Sequence, residues 1–248
     1  MLCSVLTLFP EAIRPYLDES ILGIAQRTGR VRFHLVNIRD YSRNPHNTVD
    51  DRPFGGGPGM VLAPEPIFDA VEDVERSFGA AHRILLTPRG RRFDQSIARD
   101  LTHNEHLLLC CGRYEGFDER IRLGMSWNEL SLGDFVLSGG EIPALAILEA
   151  TIRLLPGVLG HDESAEQDSF GSDGLLDHPH FTRPRVFRGM TVPDVLLSGD
   201  HASVERWRRS ERERLTRAAA STTRPALRHE HSRPERNGAS DPCEPEQD

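Results

Sequence analysis

The chain has 248 residues, a formal net charge of -8 and 30 cationic side chains, all of which are arginine. Without a lysine it cannot supply the essential lysine of a Walker phosphate loop, a protein kinase or a Schiff-base enzyme. The acidic net charge gives no global field that would attract a nucleic acid, so any such partner must be bound locally. The length allows one large domain or two modest ones.

The cysteines and the apolar segments indicate where the protein works. Cys3, Cys110, Cys111 and Cys243 show no CxxC and no metal-ligand spacing, which indicates a reducing compartment and no structural zinc. The first residues, MLCSVLTLF, lack the basic n-region of a signal peptide. No apolar run approaches the ~20 residues that a membrane span requires. We therefore expect a cytoplasmic protein without a membrane partner.

Strand-like and helix-like segments alternate over the first part of the chain. The predicted strands cover residues 2–9, 31–38, 82–87, 106–110 and 129–137. The predicted helices cover residues 64–78, 94–102, 117–125 and 141–155. Pro64 and Pro66 suit a helix start, and Asp94 suits an N-cap. The alternation predicts an α/β domain with a parallel sheet, helices on both faces, and ligands bound by loops beyond the C-terminal strand ends.

The composition changes at residues 159–177, and a basic segment follows. Residues 159–177 carry six acidic residues, several glycines and serines and no arginine, which predicts a flexible linker. Residues 183–217 carry nine arginines against five acidic residues, and their helical patterns predict a small all-α domain over 178–220. Residues 221–248 are rich in proline, arginine and acidic residues, which predicts a disordered tail.

Three glycine-rich segments could bind a ligand through their backbone. FGGGPGM at 54–60 fits an anion-binding nest or a mobile loop, and the pattern favours neither. CGRYEGFDER at 111–120 follows an apolar strand, so its position favours a binding loop over an ordinary turn with a surface ion pair. SLGDFVLSGGEIPA at 131–144 offers bare backbone groups that can contact a purine edge. Its LSGGE resembles the signature loop of ATP-binding-cassette proteins, but that function needs the missing Walker lysine.

The charged side chains leave several interpretations open. Composition alone does not distinguish Asp168 from the other linker acids, and Arg153 could simply cover an apolar helix with its stem. His178 and His180 lack a metal-binding pattern, so we predict no metal site. The arginines of residues 183–217 could pair with glutamates on a solvated helix or bind phosphates as bidentate forks. Their place on a compact module after a hinge favours nucleic-acid contact.

Taken in order, these segments resemble the motifs of the bacterial tRNA (guanine-37-N1)-methyltransferases, the TrmD family of the SPOUT superfamily. The matching segments are GGGPGM, LTPRGRRFDQ, CGRYEGFDER, SLGDFVLSGGE, LPGVLG, DSF, GLLDHPHFTRP and VPDVLLSGDH. The resemblance covers the chain from the first strand to residue 217. It implies a SPOUT α/β domain over 1–158 with a deep trefoil knot, although most chains are unknotted. It also implies S-adenosylmethionine as the methyl donor, bound in the knot.

The resemblance implies a role for each residue that matches a motif. Asp168 matches the general base and Arg153 its partner arginine. The residues that would bind the donor are Leu85, Leu86, Pro88, Gly112, Tyr114, Glu115, Leu132, Gly133, Asp134, Phe135, Val136, Leu137, Gly139 and Gly140. The helical domain would bind the tRNA anticodon stem-loop, and the arginines that we expect to contact RNA are Arg183, Arg185, Arg188, Arg208 and Arg209.

The implied reaction methylates N1 of guanosine 37 of tRNA, at an active site between two subunits of an obligate homodimer and with Mg²⁺ as an assisting ion. An ordinary Asp, with a pKa of ~3.9, is too weak to remove the N1 proton unaided. Desolvation of Asp168, or stabilisation of the charge on O6 by Arg153, would help. The guanine is expected to leave its stack to reach the donor.

The sequence departs from the family pattern in three places. Phe135 stands where tyrosine is frequent, Arg89 stands where glutamine is frequent, and residues 170–174 are one residue longer. Two other functions remain open on the sequence: a non-catalytic RNA-binding module, and an enzyme that modifies another RNA base with the same fold.

Overall fold

The structure is a computed structural model that describes residues 1–159 and 168–222. The chain forms two units, one from Met1 to Gly174 and another that begins at Leu175. Residues 160–167 of the predicted linker, and residues 223–248 of the predicted tail, lie outside the described residues.

A parallel five-stranded sheet forms the centre of the first unit. The strands of this unit are β1 (Leu2–Thr7), β2 (Arg32–Asn37), β3 (Asp50–Asp51), β4 (Val61–Leu62), β5 (His82–Arg92), β6 (His106–Cys111) and β7 (Asn128–Ser131). The sheet has the order β2-β1-β6-β5-β7, and all of its pairings are parallel. Strands β3 and β4 form a separate antiparallel pair. The predicted α/β class with a parallel sheet is confirmed.

The described part of the first unit also contains six α-helices. They are α1 (Pro10–Leu17), α2 (Ser20–Arg27), α3 (Pro64–Phe78), α4 (Gln95–Leu101), α5 (Glu119–Gly124) and α6 (Glu141–Ile152). A 3-10 helix covers Ile38–Tyr41. Helix α3 has the predicted bounds, and Asp94 caps α4 as predicted, since its carboxylate accepts a 3.0 Å hydrogen bond from the Ile97 amide. Helices α1 and α2 were not predicted.

The core lies on both faces of the sheet because the central strands are apolar on both sides. Every residue of β6 is buried. Leu107 and Leu109 pack in a cluster with α1, α2, α4 and α6, whereas Leu108 packs on the opposite face with α3 and α5. This arrangement confirms the prediction of helices on both faces.

Three buried cysteines belong to this core. Cys3, Cys110 and Cys111 are free thiols with no exposed surface. Burial raises the pKa of the Cys3 thiol to about 12 and raises the pKa of Cys110 and Cys111 above their ordinary value. These side chains therefore act as small apolar groups and not as nucleophiles.

The predicted strand over 129–137 is wrong beyond Ser131. Strand β7 ends there, and residues 132–137 form a loop. The Ser131 hydroxyl accepts a hydrogen bond from the Gly133 amide at 3.2 Å, so a side chain occupies a backbone donor that a strand would pair. Phe135 and Val136 are consequently exposed, Val136 by 87%.

The second unit contains a short hairpin and a long helix. Strands β8 (Val186–Phe187) and β9 (Met190–Thr191) pair antiparallel, a 3-10 helix covers Asp194–Leu197, and α7 covers His201–Thr222. The prediction of an all-α unit therefore needs a correction. Arg188 and Gly189 both have positive φ, 51° and 80°, which is the backbone of a two-residue hairpin turn. Within the described residues, no helix has the length and apolarity to cross a membrane.

Candidate active site

The loops that follow β5, β6 and β7 enclose a cavity of about 530 Å³ at the C-terminal edge of the sheet. The β5 side of the cavity is irregular, because the pairing with β7 shifts register between Leu86 and Arg91. Thr87 and Pro88 lie in this irregular stretch and line the cavity. Irregularities of this type are frequent next to active sites, where they redirect side chains.

The cavity brings together thirteen of the fourteen residues that the resemblance assigns to the donor. The thirteen are Leu85, Leu86, Pro88, Gly112, Tyr114, Glu115, Leu132, Gly133, Phe135, Val136, Leu137, Gly139 and Gly140. The exception is Asp134, which is exposed and does not line the cavity. The sequence analysis did not single out Arg113, Ser138 and Pro143, which also line it.

Close backbone contact joins two of the loops and explains their glycines. The Gly140 amide donates a 2.9 Å hydrogen bond to the Gly112 carbonyl oxygen. A Cβ on Gly140 would lie 2.7 Å from Cys111 Cα and 2.9 Å from the Gly112 nitrogen. Because backbone atoms cannot yield as side-chain ends can, this position admits glycine only.

The loop at 54–60 contacts one of the loops that line the cavity. Gly55, Gly56, Gly57 and Gly59 all have positive φ. A Cβ on Gly59 would lie 2.3 Å from a carboxylate oxygen of Glu115, and the Glu115 amide donates to the Met60 carbonyl oxygen at 3.0 Å. The end of this loop therefore supports the segment that carries Tyr114 and Glu115, whether or not the loop itself binds a ligand.

Charged side chains surround one side of the cavity and neutralise one another. The Arg89 guanidinium lies 3.0 Å from the Glu119 carboxylate, which also pairs with Arg122. Hydrogen bonds from Arg122 and Arg89 lower the pKa of Glu119. Glu119 is therefore an ionised partner for arginine and a poor candidate for a proton-transfer group.

Asp168 and Arg153 form an ion pair, as their assigned roles require. The Arg153 Nη2 atom donates to Asp168 Oδ2 at 2.6 Å, and both side chains are partly exposed. Asp168 begins a turn in which the Gly171 amide donates to the Asp168 carbonyl oxygen at 3.1 Å, and Arg99 of α4 donates to the Phe170 carbonyl oxygen. The segment with the extra residue, 170–174, is thus held against α4. Neither Asp168 nor Arg153 lines the cavity in the described part of the chain.

One group of described residues has the ligand types for a metal ion. The ligand atoms of Asp177, His178 and His180 lie within 4.8 Å of one another, and His180 Nε2 already lies 2.8 Å from Asp177 Oδ2. Mg²⁺ prefers oxygen ligands, and this set is mostly imidazole, so it does not fit that ion. That these histidines form no metal site stays a prediction.

Four of the five arginines assigned to RNA are exposed in the second unit, and Arg208 is half-buried. Arg208 pairs with Glu205 at 2.7 Å, Arg209 with Glu213 at 3.3 Å, and Arg185 with Asp194 at 3.4 Å. The guanidinium of Arg188 lies 5.3 Å from the centre of the Phe187 ring, and Arg183 is exposed. The pairs of Arg208 and Arg209 fit the solvated-helix interpretation, and the exposed arginines keep guanidinium groups that a phosphate could reach.

Comparison with known proteins extends the motif resemblance to the whole fold. The model of the family described as tRNA (Guanine-1)-methyltransferase TrmD matches residues 1–228. The tRNA (guanine-N(1)-)-methyltransferase of Bacillus subtilis (strain 168) is 56% identical over 212 residues, 85% of this chain and 87% of that protein. The protein of that name from Dehalococcoides mccartyi (strain ATCC BAA-2266 / KCTC 15142 / 195) is 53% identical over 217 residues, 87% of each chain.

A solved structure gives the same result. The crystal structure of tRNA (m1G37) methyltransferase from Aquifex aeolicus matches with a TM-score of 0.74 and 38% sequence identity, over 89% of this chain and 93% of that one. Since sequence and fold agree along most of the chain, it belongs to the TrmD family of tRNA (guanine-1)-methyltransferases and is an enzyme that methylates tRNA.

Proposed function

We propose that the enzyme transfers a methyl group from S-adenosylmethionine to N1 of guanosine 37 of tRNA, next to the anticodon. The observation that carries this proposal is the cavity, which gathers thirteen of the fourteen residues assigned to the donor. The trefoil knot that the resemblance implies would be formed by the segments around this cavity.

The residues of the cavity fit a nucleoside with a short charged tail. A volume of about 530 Å³ is typical of small-molecule sites. Leucine side chains provide apolar walls for a base, and the glycines at 139 and 140 leave backbone groups uncovered for its edge. The Glu115 carboxylate can accept hydrogen bonds from a ribose or an amine. When bound, S-adenosylmethionine would supply an electrophilic methyl group, whose bond to sulfur breaks as the bond to N1 forms, so that S-adenosylhomocysteine leaves.

Asp168 and Arg153 have the chemistry to prepare the guanine. As N1 attacks the methyl group it loses its proton, which the Asp168 carboxylate accepts. Negative charge moves onto O6 as the proton leaves, and the Arg153 guanidinium beside Asp168 can stabilise it. The ion pair places base and stabiliser within one hydrogen bond of each other. No step is assigned to Mg²⁺, because Asp168 belongs to no metal-binding group among the described residues.

A homodimer would bring these two residues to the donor. Asp168 and Arg153 do not line the cavity of their own chain in its described part, so one chain alone does not assemble the reacting groups. We therefore place the active site between two subunits, where the cavity of one chain faces Asp168 of the other. The arginines of the second unit would bind the anticodon stem-loop.

A methylation assay tests this function directly. Purified enzyme, S-adenosylmethionine labelled in its methyl group and an unmodified tRNA transcript with G at position 37 should give stoichiometric incorporation at N1 of that nucleotide. A transcript that differs only by A at position 37 is the matched control and should incorporate nothing. Methylation at another guanosine would contradict the proposed position, and no transfer with donor bound would contradict the proposed substrate.

A further inference from the structure

An ion pair between Arg113 and Glu141 connects two loops of the cavity. The Arg113 Nε atom lies 3.2 Å from Glu141 Oε2, and Arg113 Nη2 lies 3.1 Å from the same oxygen. The Glu141 side chain is 8% exposed and that of Arg113 27%. Arg113 follows β6, whereas Glu141 is the first residue of α6, so the two lie 28 residues apart in the chain.

The first strand of the sheet completes this arrangement. The Thr7 hydroxyl at the end of β1 donates to Glu141 Oε1 at 2.7 Å and accepts a hydrogen bond from the Phe9 amide at 3.0 Å. The Arg113 guanidinium lies 4.5 Å from the centre of the Phe9 ring. Glu141 therefore has hydrogen-bond partners from two separate segments, and it lies at a helix N-terminus, where the helix dipole favours a carboxylate.

The backbone next to the Arg113–Glu141 pair shows which loops the pair holds together. Arg113 and Gly139 form an isolated antiparallel bridge, next to the hydrogen bond between Gly140 and Gly112. A Cβ on Gly139 would lie 2.3 Å from Arg113 Nε and 2.4 Å from Glu141 Oε2. Gly139 thus leaves the space that the ion pair occupies, and the pair lies directly against the segment whose backbone faces the cavity.

We propose that Arg113 and Glu141 are positioning residues, which hold the loop at 112–115 against the loop at 138–140 in the arrangement that binds the methyl donor. The inference rests on the proposed function of the cavity. Replacing Arg113 leaves the buried Glu141 carboxylate with Thr7 but without a charged partner, and the loops then adopt other arrangements to solvate it. If the binding arrangement is populated a tenth of the time, the donor Kd rises about tenfold.

A pair remote from the cavity gives a matched control. Arg83 of β5 and Glu75 of α3 also form a mostly buried ion pair, with side chains 25% and 18% exposed, and neither lines the cavity. Disruption of that pair should lower the melting temperature without changing the donor Kd. The contrast separates positioning of the loops from general stabilisation of the unit.

The test measures S-adenosylmethionine binding by calorimetry and melting temperature for the wild type and three variants. We expect Arg113→Met to weaken binding about tenfold and to melt at a lower temperature. Arg113→Met/Glu141→Gln leaves no uncompensated charge and keeps an acceptor for Thr7, so it should recover the melting temperature but not the affinity. The control Arg83→Met/Glu75→Gln should bind as the wild type does.

Kinetics give a second readout and keep the inference falsifiable if Arg113→Met does not fold. In the double variant the KM for the donor should rise about tenfold, while kcat at saturating donor should stay within about twofold. Arg113→Lys, which keeps the charge without the planar fork, should recover part of the affinity. Wild-type affinity in the Arg113→Met/Glu141→Gln variant would overturn the inference. Failure of the wild-type enzyme itself to bind the donor would instead overturn the proposed function.

Discussion

In the first unit the loops of the proposed donor site are joined by close backbone contact at glycines, whereas in the second unit the proposed RNA contacts are charged side chains. Gly140 lies against the backbone of Cys111 and Gly112, and the buried Arg113–Glu141 pair lies beside it. In contrast, Arg209 is 81% exposed and pairs with Glu213 one helical turn away. A compact ligand can be enclosed by a preformed cavity, whereas a polyanion must be met by side chains that can exchange one partner for another.

This difference implies that substitutions in the two regions should have different effects. Substitutions at the cavity should cause large losses of activity, because close backbone contacts tolerate shifts of only fractions of an ångström. Changes at the arginines should be small individually and should depend on salt.

The largest expected effect comes from Asp168→Asn, which should separate chemistry from donor binding. Because the amide cannot accept the N1 proton, kcat should fall about 10³-fold. The donor Kd should stay unchanged, since the proposed base acts on the guanine and does not contact the donor. Single-turnover methyl transfer and calorimetry measure the two quantities. The control is Asp69→Asn, which removes a half-buried carboxylate that pairs with Arg43. Loss of donor affinity in Asp168→Asn would contradict the assigned role.

The next effect comes from Gly140→Ala, which tests whether the cavity depends on close backbone contact. The new Cβ would lie 2.7 Å from Cys111 Cα, so one loop must shift and kcat/KM for the donor should fall roughly 100-fold. Gly29→Ala is the control. Gly29 has a φ of +71° and open space around it, so alanine there should cost about 1–2 kcal/mol of stability without affecting transfer. Equal loss of activity in both variants would contradict the dependence of the cavity on close backbone contact at Gly140.

The glycine-rich loops that line the cavity could be singled out from the sequence because their requirements are local, whereas their assignment to the donor came from the resemblance. Glycine runs at 112, 139 and 140, each beside an apolar strand or a helix start, mark backbone that must approach something closely. The C-terminal strand ends of a parallel sheet then bring separate motifs to one edge. The assignment of Asp168 needed the family resemblance, because composition gave six equivalent acids in the linker.

The parts that sequence reasoning missed depend on tertiary contacts. The pairing of Arg113 with Glu141 was missed, because the two residues lie 28 positions apart in the chain, and the motif at 111–120 offered only a surface ion pair as the alternative to a binding loop. Helix α1 has Pro10 at its start and Pro15 inside it, and such prolines are typical of breaks in helical patterns. The strand predicted over 129–137 included apolar residues that the structure exposes in a loop. Apolar character alone does not distinguish an exposed loop from a buried strand, so the sequence could not show where the strand ends.

A smaller effect is expected at Arg209, where the internal glutamate and the tRNA phosphate compete. Arg209→Ala should weaken tRNA binding a few-fold and reduce the salt dependence of log Kd by about one unit. Glu213→Ala should instead strengthen binding, because it removes the competing carboxylate. Binding titrations over a range of salt concentrations measure both changes. Arg14→Ala, at an exposed arginine that pairs with Glu11 in the first unit, is the control and should leave both quantities unchanged.

The smallest effect is a pH dependence of stability that differs between the two units. A hydrogen bond from Arg83 lowers the pKa of Glu75 from its ordinary 4.5. A lowered folded-state pKa means that this stabilisation is complete above pH 4.5 and is lost as the pH falls through the lowered value. Glu75→Gln should therefore cost about 1 kcal/mol at neutral pH and progressively less in acid, as thermal melting at several pH values can measure. Glu205→Gln, which removes the exposed partner of Arg208 in the second unit, should cost nothing measurable at either pH, because solvent screens a pair whose carboxylate is 68% exposed. Equal costs for the two substitutions would show that burial does not distinguish the ion pairs of the two units.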